Sequence, residues 1–538
     1  MSPRDVESHA DREDPRGLLD VDADPAGQAF ATHGGEAGSD LNWIALLHQR
    51  VQTRAAGSSR YEWWVLWSLL AGLFALNFTF TVFIVALPRV AGEFHTSITI
   101  LTWTMVGPLL AYGLAAPVLG KIGDIFGHRR LYLFGLAGAM VSAVLTALAL
   151  NVDMLLLARA LDGVQGAATG TASAALINMA FAPEERVKAM GWWSLVGAGG
   201  PVLGVSLGSP VIAALGWRAL FWFQLGLLAV ALAVVAVVIP RARGLDHETA
   251  PDRQRARAAF ATMDWLGSWS LSLGVTALML GLSLGPTLGW TSVGTYAAFT
   301  TSAVMIGAFV YRVRTAAHPF IPAHYFARRN FVVPMVLRAA ANFAYFGAFF
   351  LFPLLMEQGY GYSIPRVGAI AIARPITFAI CSPIAGYVAV RVGERISAVT
   401  GAAFLTASLA LFALLTPSSG ALLVVLALAM SGLGMGVAMP STSSAMANEV
   451  RASEFGVMSA AQLLAMQVGE VAGIQVLVTV HQALVRRAHL TNAKPGASLL
   501  DTFHLPFAVG AGVAALGLVA ALFVRDVPRP LRRAVPRR

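Results

Sequence analysis

Long apolar stretches alternate with short polar ones along most of this chain. Between residue 62 and about residue 526, runs of roughly 20 predominantly apolar residues recur, separated by polar turns. A helix of about 20 such residues crosses the hydrocarbon core of a bilayer. The pattern predicts fourteen membrane spans, at residues 63–88, 100–119, 131–150, 153–179, 189–215, 218–239, 264–284, 293–313, 331–356, 365–390, 396–415, 420–440, 455–480 and 505–525.

The composition excludes a water-soluble protein. Of the 538 residues, 57% are hydrophobic and 12% are charged, whereas soluble domains contain about 25% charged residues. So few charges cannot cover a surface exposed to water. The predicted fold class is therefore an all-α polytopic membrane protein, surrounded by the lipid bilayer of the cell membrane.

The basic residues lie mainly in alternate connections between the predicted spans. An even number of spans places both termini on one side, and Lys and Arg are enriched in cytoplasmic loops. We therefore expect cytoplasmic termini. The net charge is +10, but the basic residues cluster in these loops, so we expect no nucleic-acid partner. The connections assigned to the cytoplasm contain Lys121, Arg129, Arg130, Arg186, Lys188, Arg391 and Arg395, with further basic residues in 241–257, 312–329 and 525–538.

One predicted cytoplasmic turn carries a distinctive pattern of glycine, acid and arginine. Its sequence, Gly-Lys-Ile-Gly-Asp-Ile-Phe-Gly-His-Arg-Arg, contains Gly120, Asp124, Gly127, Arg129 and Arg130. Glycine permits a tight turn and a close approach of two helices. A carboxylate is favoured near the N-terminus of a helix, so Asp124, together with Arg129, would hold the cytoplasmic side in one conformation. The alternative is a simple solvated turn.

The same spacing recurs in the second half of the chain. Gly386, Gly393 and Arg395 repeat the positions of Gly120, Gly127 and Arg129, again between two predicted spans, while Val390 stands where the first copy has its acid. The chain therefore contains a degenerate internal repeat, as in transporters built from two related halves.

Together these features resemble the major facilitator superfamily, and most closely its fourteen-span drug:proton antiporter group. The turn resembles the family's loop between helices 2 and 3, except that Ile125 stands where a basic residue is usual. The first span ends in a similar stretch, with Asn77 where this group usually has an acid. Residues 263–267 and 318–322 resemble the group's entry to the seventh span and its loop before the ninth.

Two further motifs support the resemblance. In the fourth span, Arg159-Ala-Leu-Asp162-Gly is similar to the family's Arg-x-x-Gln-Gly, with an acid in place of the Gln. In the fifth span, Gly200-Pro201-Val-Leu-Gly204 resembles a motif of exporters. Small residues allow close helix packing in lipid and proline bends a helix. These residues are therefore either a hinge for conformational exchange or plain packing positions.

The resemblance implies a major facilitator fold of two six-helix halves with two extra spans between them. The predicted parts are a largely disordered cytoplasmic tail (1–60), an N-terminal half (61–240), a linker with two extra spans (241–330), a C-terminal half (331–526) and a basic cytoplasmic tail (527–538).

Five ionisable residues are predicted to lie at membrane depth, where a charge costs about 2.5–3.5 kcal/mol on insertion scales. They are Arg159, Asp162, Arg338, Arg374 and Glu470. Arg159 and Asp162 are three residues apart on one helix, so they can pair. Asp162 is either half of a structural ion pair or a proton-coupling group. Glu470 is the first candidate for proton coupling, and Arg374 lies in the same half of the chain. Either the two residues form a static ion pair, or the protonation of Glu470 depends on whether substrate occupies Arg374.

The remaining polar positions are candidates for the substrate cavity. Arg338 lies near the predicted cytoplasmic end of the ninth span, with Asn342 one turn further in. Arg338 either snorkels to the interface or attracts an anionic group in the cavity. Asn77 can form hydrogen bonds but cannot exchange a proton. The predicted cavity residues are Asn77, Arg159, Arg338, Asn342 and Arg374.

The sequence has no pattern of a soluble enzyme. Neither Gly-x-Ser-x-Gly nor His-Glu-x-x-His is present in a plausible context. The single cysteine, Cys381, has no partner for a disulfide or a metal site. We expect no enzymatic activity, no metal and no cofactor, and a proton gradient as the energy source.

The leading hypothesis is a monomeric secondary transporter that exports small amphipathic molecules in exchange for protons by alternating access. Asn77 and the buried arginines motivate an alternative, the export of an anionic or lipid-like metabolite without strict proton coupling. Proton symport is a second alternative, since sequence does not give the direction. A third is a sensor that binds a ligand without moving it.

Overall fold

The computed structural model describes residues 60–96, 98–101, 103–239, 258–490 and 497–526. It describes the backbone only for residues 80–82, 84, 85, 87, 88, 98, 99, 198–210, 213, 364, 365, 488–490 and 497–499. The predictions for the N-terminal tail, the basic loop at 241–257 and the C-terminal tail at 527–538 lie outside the described residues. Within the described ranges, all regular secondary structure is helical.

Fourteen helices of 20 residues or more follow one another in the described part of the chain. They are α1 (Tyr61–Glu93), α2 (Trp103–Phe126), α3 (His128–Ala147), α4 (Val152–Ala180), α5 (Arg186–Leu215), α6 (Arg218–Val238), α7 (Trp265–Leu288), α8 (Val293–Thr315), α9 (Arg329–Leu354), α10 (Ala373–Val392), α11 (Glu394–Ala413), α12 (Ala421–Ala447), α13 (Phe455–Leu490) and α14 (Ala497–Ala521). Short helical segments at Ile98–Leu101, Ala323–Phe326, Leu355–Gly359, Ile364–Ala371 and Ala452–Glu454 lie between them.

Local sequence signals explain where several helices begin and end. Gly127 (φ 96°) separates α2 from α3, and Gly393 (φ 102°) separates α10 from α11; both dihedrals lie in a region that favours glycine. The Asn151 side chain accepts a hydrogen bond from the Met154 amide at the start of α4, 2.8 Å away. Such a cap satisfies an amide that has no partner within the helix.

Eleven helices among the described residues are long and apolar enough to cross a membrane. Helices α1, α4 and α5 are not among the eleven. The α4 helix carries several polar residues, including Arg159, Asp162 and Gln165. The chain is a polytopic helical membrane protein, and the span count of fourteen stays a prediction.

The packing of α1 to α6 is repeated by α9 to α14. Helix α1 packs against α5 and α6, α2 packs against α4, and α3 packs against α4 and α6. In the same way, α9 packs against α13 and α14, α10 against α12, and α11 against α12 and α14. We call these sets the first and the second bundle. The exact domain boundaries stay a prediction.

The two bundles meet mainly through two equivalent helix pairs, α2 with α13 and α10 with α5. The hairpin of α7 and α8 is additional to both bundles, and α7 packs against α2 and α13. Helix α13 therefore contacts its own bundle, the other bundle and the hairpin.

Glycine contacts fix the position of α13 against α9. A Cβ on Gly469 would overlap the carbonyl oxygen of Ala339, and a Cβ on Gly473 would overlap that of Phe343. Small residues at helix interfaces allow this approach in lipid, where dispersion contacts replace the hydrophobic effect as the main attraction between helices. Because Gly469 precedes Glu470, this packing also fixes the backbone of the predicted coupling residue.

Candidate functional site

The glycine of the predicted cytoplasmic turn is a point of contact between the bundles. A Cβ on Gly120 of α2 would lie 2.5 Å from the carbonyl oxygen of Gly456 of α13, and a Cβ on Gly456 would overlap the carbonyl oxygen of Gly120. The two backbones therefore touch. We call this contact, with Asp124 and Val457, the first junction.

At the first junction, Asp124 accepts hydrogen bonds from the N-terminus of α13. Its Oδ1 accepts a hydrogen bond from the Gly456 amide (2.7 Å) and its Oδ2 accepts one from the Val457 amide (3.1 Å). These amides belong to the first turn of α13, where the helix dipole favours a negative charge. The prediction that Asp124 contacts the N-terminus of a neighbouring helix is confirmed.

Histidine 128 is a further partner that the sequence analysis missed. The His128 Nε2 atom lies 3.1 Å from the Asp124 Oδ1 atom, and both side chains are buried. The two residues are four apart across Gly127, and this spacing is the signal that could have found the pair.

Arg129 takes a different place from the one expected. It donates hydrogen bonds to the carbonyl oxygens of Ala236 (3.0 Å) and Ile239 at the end of α6. These carbonyls carry partial negative charge, so the described hydrogen bonds of Arg129 join α3 to α6 within the first bundle. The joint action of Arg129 with Asp124 stays a prediction. Arg130 is exposed.

The repeated turn forms a second junction, between Gly386 of α10 and Val187 of α5. A Cβ on Gly386 would lie 2.8 Å from the Val187 carbonyl oxygen, and the Ser382 hydroxyl donates to the Gly191 carbonyl oxygen (3.0 Å). Val390, at the position equivalent to Asp124, has no carboxylate to offer α5. The repeat therefore preserves the glycine contact and loses the acidic cap.

Arg186 adds a link between the bundles that the sequence analysis did not assign. It donates to the Asn178 carbonyl oxygen at the end of α4 (2.8 Å) and to Asn448 Oδ1 after α12 (2.6 Å). Its guanidinium also lies 5.0 Å from the Phe455 ring centroid. The arginine thus joins the ends of three helices on the predicted cytoplasmic side.

Asp264 brings together the two motifs around the extra spans. Its side chain caps α7 through the Gly267 amide (3.0 Å), accepts from Arg312 Nη2 of α8 (2.8 Å) and faces the Phe320 amide (3.4 Å). Residues 263–267 and 318–322 therefore meet at one carboxylate.

The segment between α8 and α9 also contacts the start of α13. The Tyr325 hydroxyl donates to Glu454. Burial, with this hydrogen bond as a further cause, raises the pKa of Tyr325, so the phenol remains a donor at neutral pH. Arg328 donates to the Glu449 carbonyl oxygen (2.7 Å).

Arg159 and Asp162 form the predicted ion pair. Arg159 Nη1 lies 2.6 Å from Asp162 Oδ2, and Gln165 Nε2 donates to Asp162 Oδ1 (2.7 Å). Arg159 also donates to the Thr104 carbonyl oxygen of α2 (3.3 Å) and lies 5.5 Å from the Phe83 ring centroid. Both carboxylate oxygens of Asp162 are engaged, an arrangement that favours the structural interpretation of this residue.

Arg374 and Glu470 do not form an ion pair in this structure. Arg374 Nε and Nη2 donate to the Ser431 hydroxyl of α12 (3.1 and 2.8 Å), and its guanidinium lies 4.1 Å from the Tyr345 ring centroid. In the part of the chain that the structure describes, Glu470 has no hydrogen bond or ion pair. It is partly buried on α13.

Arg338 is buried and does not snorkel to an interface. Only 2% of it is exposed. It donates to the Ser443 hydroxyl of α12 (3.0 Å), which in turn donates to Gln462 Oε1 of α13 (3.0 Å). Asn342 donates to the Arg338 carbonyl oxygen (2.8 Å). Among the described residues, neither Arg338 nor Arg374 has a carboxylate partner.

The remaining predicted residues are less informative. Asn77 donates to the Leu73 carbonyl oxygen of its own helix (2.8 Å). The backbone of α5 is helical through Gly200, Pro201 and Gly204, and the contacts of these three residues lie outside the described part. In the described ranges, no group of three or more His, Cys, Asp or Glu side chains could hold a metal ion.

A sequence model of the Major Facilitator Superfamily matches residues 69–474 and 335–538. The chain belongs to this superfamily. It is therefore a membrane transporter and not an enzyme, and its two repeated bundles are those of the major facilitator fold.

Relatives with known names include drug exporters. The chain is 27% identical to the tetracenomycin C resistance and export protein of Streptomyces glaucescens, over 79% of this chain and 77% of the relative. It is 25% identical to the multidrug transporter protein MdtP of Bacillus subtilis, over 77% and 74%. It is 26% identical to the multidrug resistance protein Stp of Mycobacterium tuberculosis, over 79% and 77%. The chain thus resembles the multidrug-efflux members of the superfamily.

Solved structures support the fold. The human organic anion transporter MFSD10 (TETRAN) superposes with a TM-score of 0.60 at 17% identity, covering 86% of this chain and 99% of that one. The proton:xylose symporter XylE superposes with a TM-score of 0.61 at 13% identity, covering 87% and 97%.

Proposed function

We propose that this transporter exports small amphipathic molecules from the cell in exchange for protons, and that Glu470 is the proton-coupling group. The observation that carries the proposal is the isolated carboxyl of Glu470, which has no hydrogen bond or ion pair among the described residues. The names of the bacterial relatives, which include drug resistance and export proteins, support export as the direction.

The position of Glu470 suits a coupling role. A charge at membrane depth costs about 2.5–3.5 kcal/mol on insertion scales, so taking up a proton makes α13 easier to bury. Helix α13 packs against α9 and α14 in its own bundle and against α2 and α4 in the other. Glu470 therefore belongs to a helix whose contacts with the other bundle have to change when access alternates.

The junctions support a conformation closed on the predicted cytoplasmic side. Asp124 joins α2 to the amides of α13, and Arg186 joins α5 to Asn448 after α12. Both contacts connect the two bundles. In our proposal, protonation of Glu470 from the outer side precedes the release of these contacts.

Reconstitution in vesicles with an imposed pH gradient tests the proposal. Cationic, neutral and anionic amphiphiles would be compared for gradient-driven transport. We expect Glu470→Gln to abolish gradient-driven transport while gradient-free exchange continues. Glu357→Gln, which changes an exposed carboxyl on Leu355–Gly359, is the matched control and should transport normally. Full gradient-driven transport by Glu470→Gln would contradict the assignment, and cotransport of substrate and protons in one direction would favour symport.

The two buried guanidinium groups favour a second candidate function, the export of an anionic or lipid-like metabolite without strict proton coupling. Arginine stays charged in proteins, and Arg338 and Arg374 have only neutral partners among the residues described. An anionic substrate would supply the missing charge. We expect Arg374→Ala to lose transport of anionic amphiphiles if this function holds, and the exposed Arg366→Ala to retain it. Equal loss of anionic and cationic substrates would count against it.

A further inference from the structure

The face of α7 that packs against α2 and α13 carries a row of buried hydroxyl groups. Ser268, Ser272 and Thr276 are spaced four residues apart, which places them on one side of the helix. Their hydroxyl oxygens are buried and have no hydrogen-bond partner among the described residues. Helix α7 belongs to the hairpin between the bundles, which the proposed function has not used.

A glutamine of α13 faces the same place. Gln467 is 3% exposed, and its Oε1 atom is buried without a hydrogen-bond partner in the described part of the chain. A Cβ built on Gly113 of α2 would lie 3.6 Å from Gln467 Oε1, 3.6 Å from Thr276 Oγ1 and 3.4 Å from Met279 Sδ. Polar atoms from two helices therefore converge beside a glycine of a third.

This arrangement has the chemistry of a water site. A buried polar atom without a partner costs about 1–3 kcal/mol. A buried water usually has two to four polar partners and needs space of about one probe sphere. Gln467 and Thr276 supply two partners. Both oxygens lie 3.6 Å from one point beside Gly113, so they line the same space between the three helices.

We propose that α2, α7 and α13 hold a water molecule beside Gly113, bound by Gln467 and Thr276, and that this water serves proton transfer to and from Glu470. Glu470 lies one helical turn from Gln467 on α13, since residues three apart are neighbours on a helix. Ser272 and Ser268 continue the row towards Asp264, at the predicted cytoplasmic end of α7. In this proposal, the hairpin of α7 and α8 forms one side of the route that protons take. The transfer role rests on the proposed function, whereas the water site does not.

Radiolytic hydroxyl-radical labelling of the full-length protein in vesicles tests the water site directly. Radicals form at bound water, and Met279 is 0% exposed, so oxidation of its sulfur requires water inside the protein. Met356, also 0% exposed and within an apolar cluster, is the reference. We expect Met279 to be oxidised several-fold faster than Met356. Gly113→Ala should remove the difference, because the methyl group would take up space beside Gln467 Oε1 and Thr276 Oγ1, and Gly107→Ala, with nothing within 4 Å of its Cβ, should preserve it.

Transport by the same variants tests the role of the water. We expect Gly113→Ala, Thr276→Val and Gln467→Met to lower gradient-driven transport by about tenfold, the equivalent of 1.4 kcal/mol, and to retain gradient-free exchange. Gly107→Ala should behave as the unmodified protein. The inference is overturned if Met279 is oxidised no faster than Met356, or if Gly113→Ala retains full gradient-driven transport. If only Glu470→Gln loses gradient-driven transport, the proposed function is retained and the role of the water is rejected.

Discussion

The first and second junctions share a backbone plan and differ in chemistry. At each one, a glycine from the second helix of a bundle touches the first turns of the fifth helix of the other bundle: Gly120 on α13, and Gly386 on α5. At the first junction, Asp124 accepts two hydrogen bonds from the amides of α13. At the second, Val390 stands in the equivalent position, and α5 begins without a side-chain cap.

The difference shows how an internal repeat can keep its shape while only one copy responds to charge. Hydrogen bonds to a charged group contribute about 1.5–3 kcal/mol each. The Ser382 hydroxyl at the second junction makes a neutral hydrogen bond to Gly191, which contributes about 0.5–1.5 kcal/mol. We therefore expect the first junction to control the opening of the predicted cytoplasmic side, with the second acting as a neutral pivot.

Opening of that side can be measured through one introduced cysteine. Ala447, at the end of α12, is 0% exposed, and its carbonyl oxygen faces Arg186. The rate of alkylation at Ala447→Cys, in a Cys381→Ser background, reports how often the junctions separate. The following variants are compared in that background.

We expect the largest effect from Gly120→Ala. The added Cβ would lie 2.5 Å from a backbone oxygen that cannot rotate away, and overpacking of this kind costs about 1–3 kcal/mol. Alkylation should rise by more than tenfold. Gly386→Ala, whose Cβ would lie 2.8 Å from its nearest atom, should have a smaller effect. Equal alkylation rates for the two variants would contradict the expectation that the first junction controls opening more strongly than the second.

The next largest effect is expected from Asp124→Asn. The amide retains one acceptor and loses the charge, so about 1.5–3 kcal/mol of charged hydrogen bonding is weakened. We expect alkylation to rise about tenfold, which corresponds to 1.4 kcal/mol. Asp153→Asn, an exposed acid in the first turn of α4, is the control. An unchanged rate in Asp124→Asn would show that the carboxylate does not hold the bundles together.

A smaller effect of opposite sign is expected from Val390→Asp. The new carboxylate would stand near the N-terminus of α5, where the helix dipole favours a negative charge by about 0.3–1 kcal/mol. Alkylation should slow by a few-fold, and transport should slow with it because opening becomes harder. Faster alkylation would indicate that the two junctions are not equivalent in geometry.

An effect similar in size to that of Val390→Asp, and opposite in sign, is expected from His128→Asn. The variant removes the contact between His128 Nε2 and Asp124 Oδ1 (3.1 Å) and leaves both amide hydrogen bonds of Asp124 in place. A single hydrogen bond contributes about 1 kcal/mol, so alkylation should rise by less than in Asp124→Asn. A larger rise than in Asp124→Asn would make the histidine the principal partner.

Several features of the site were predictable because they are local in sequence. The spacing of Arg159 and Asp162 predicted their ion pair, and the glycine spacing predicted the turns at Gly127 and Gly393. The contact of Asp124 with a helix N-terminus also followed from its residue type, since an acid beside a membrane span needs donors.

Other features could not be predicted because their partners are distant along the chain. Arg374 contacts Ser431, 57 residues away, and Arg338 contacts Ser443, 105 residues away. The convergence of Gln467 and Thr276 beside Gly113 involves three helices. Such contacts depend on the rotation and depth of each helix, and glycine contacts such as that of Gly469 with Ala339 set both.

The sequence by itself determined that the chain is a helical membrane protein with an internal repeat and a transporter's turn. The physical reason is that the length of an apolar run and the residues that end it act locally on the backbone. Only the tertiary structure decided the partners of the charged and polar groups at membrane depth. In a medium of low polarity each such group requires a nearby partner, and helix packing selects that partner from residues far apart in the chain.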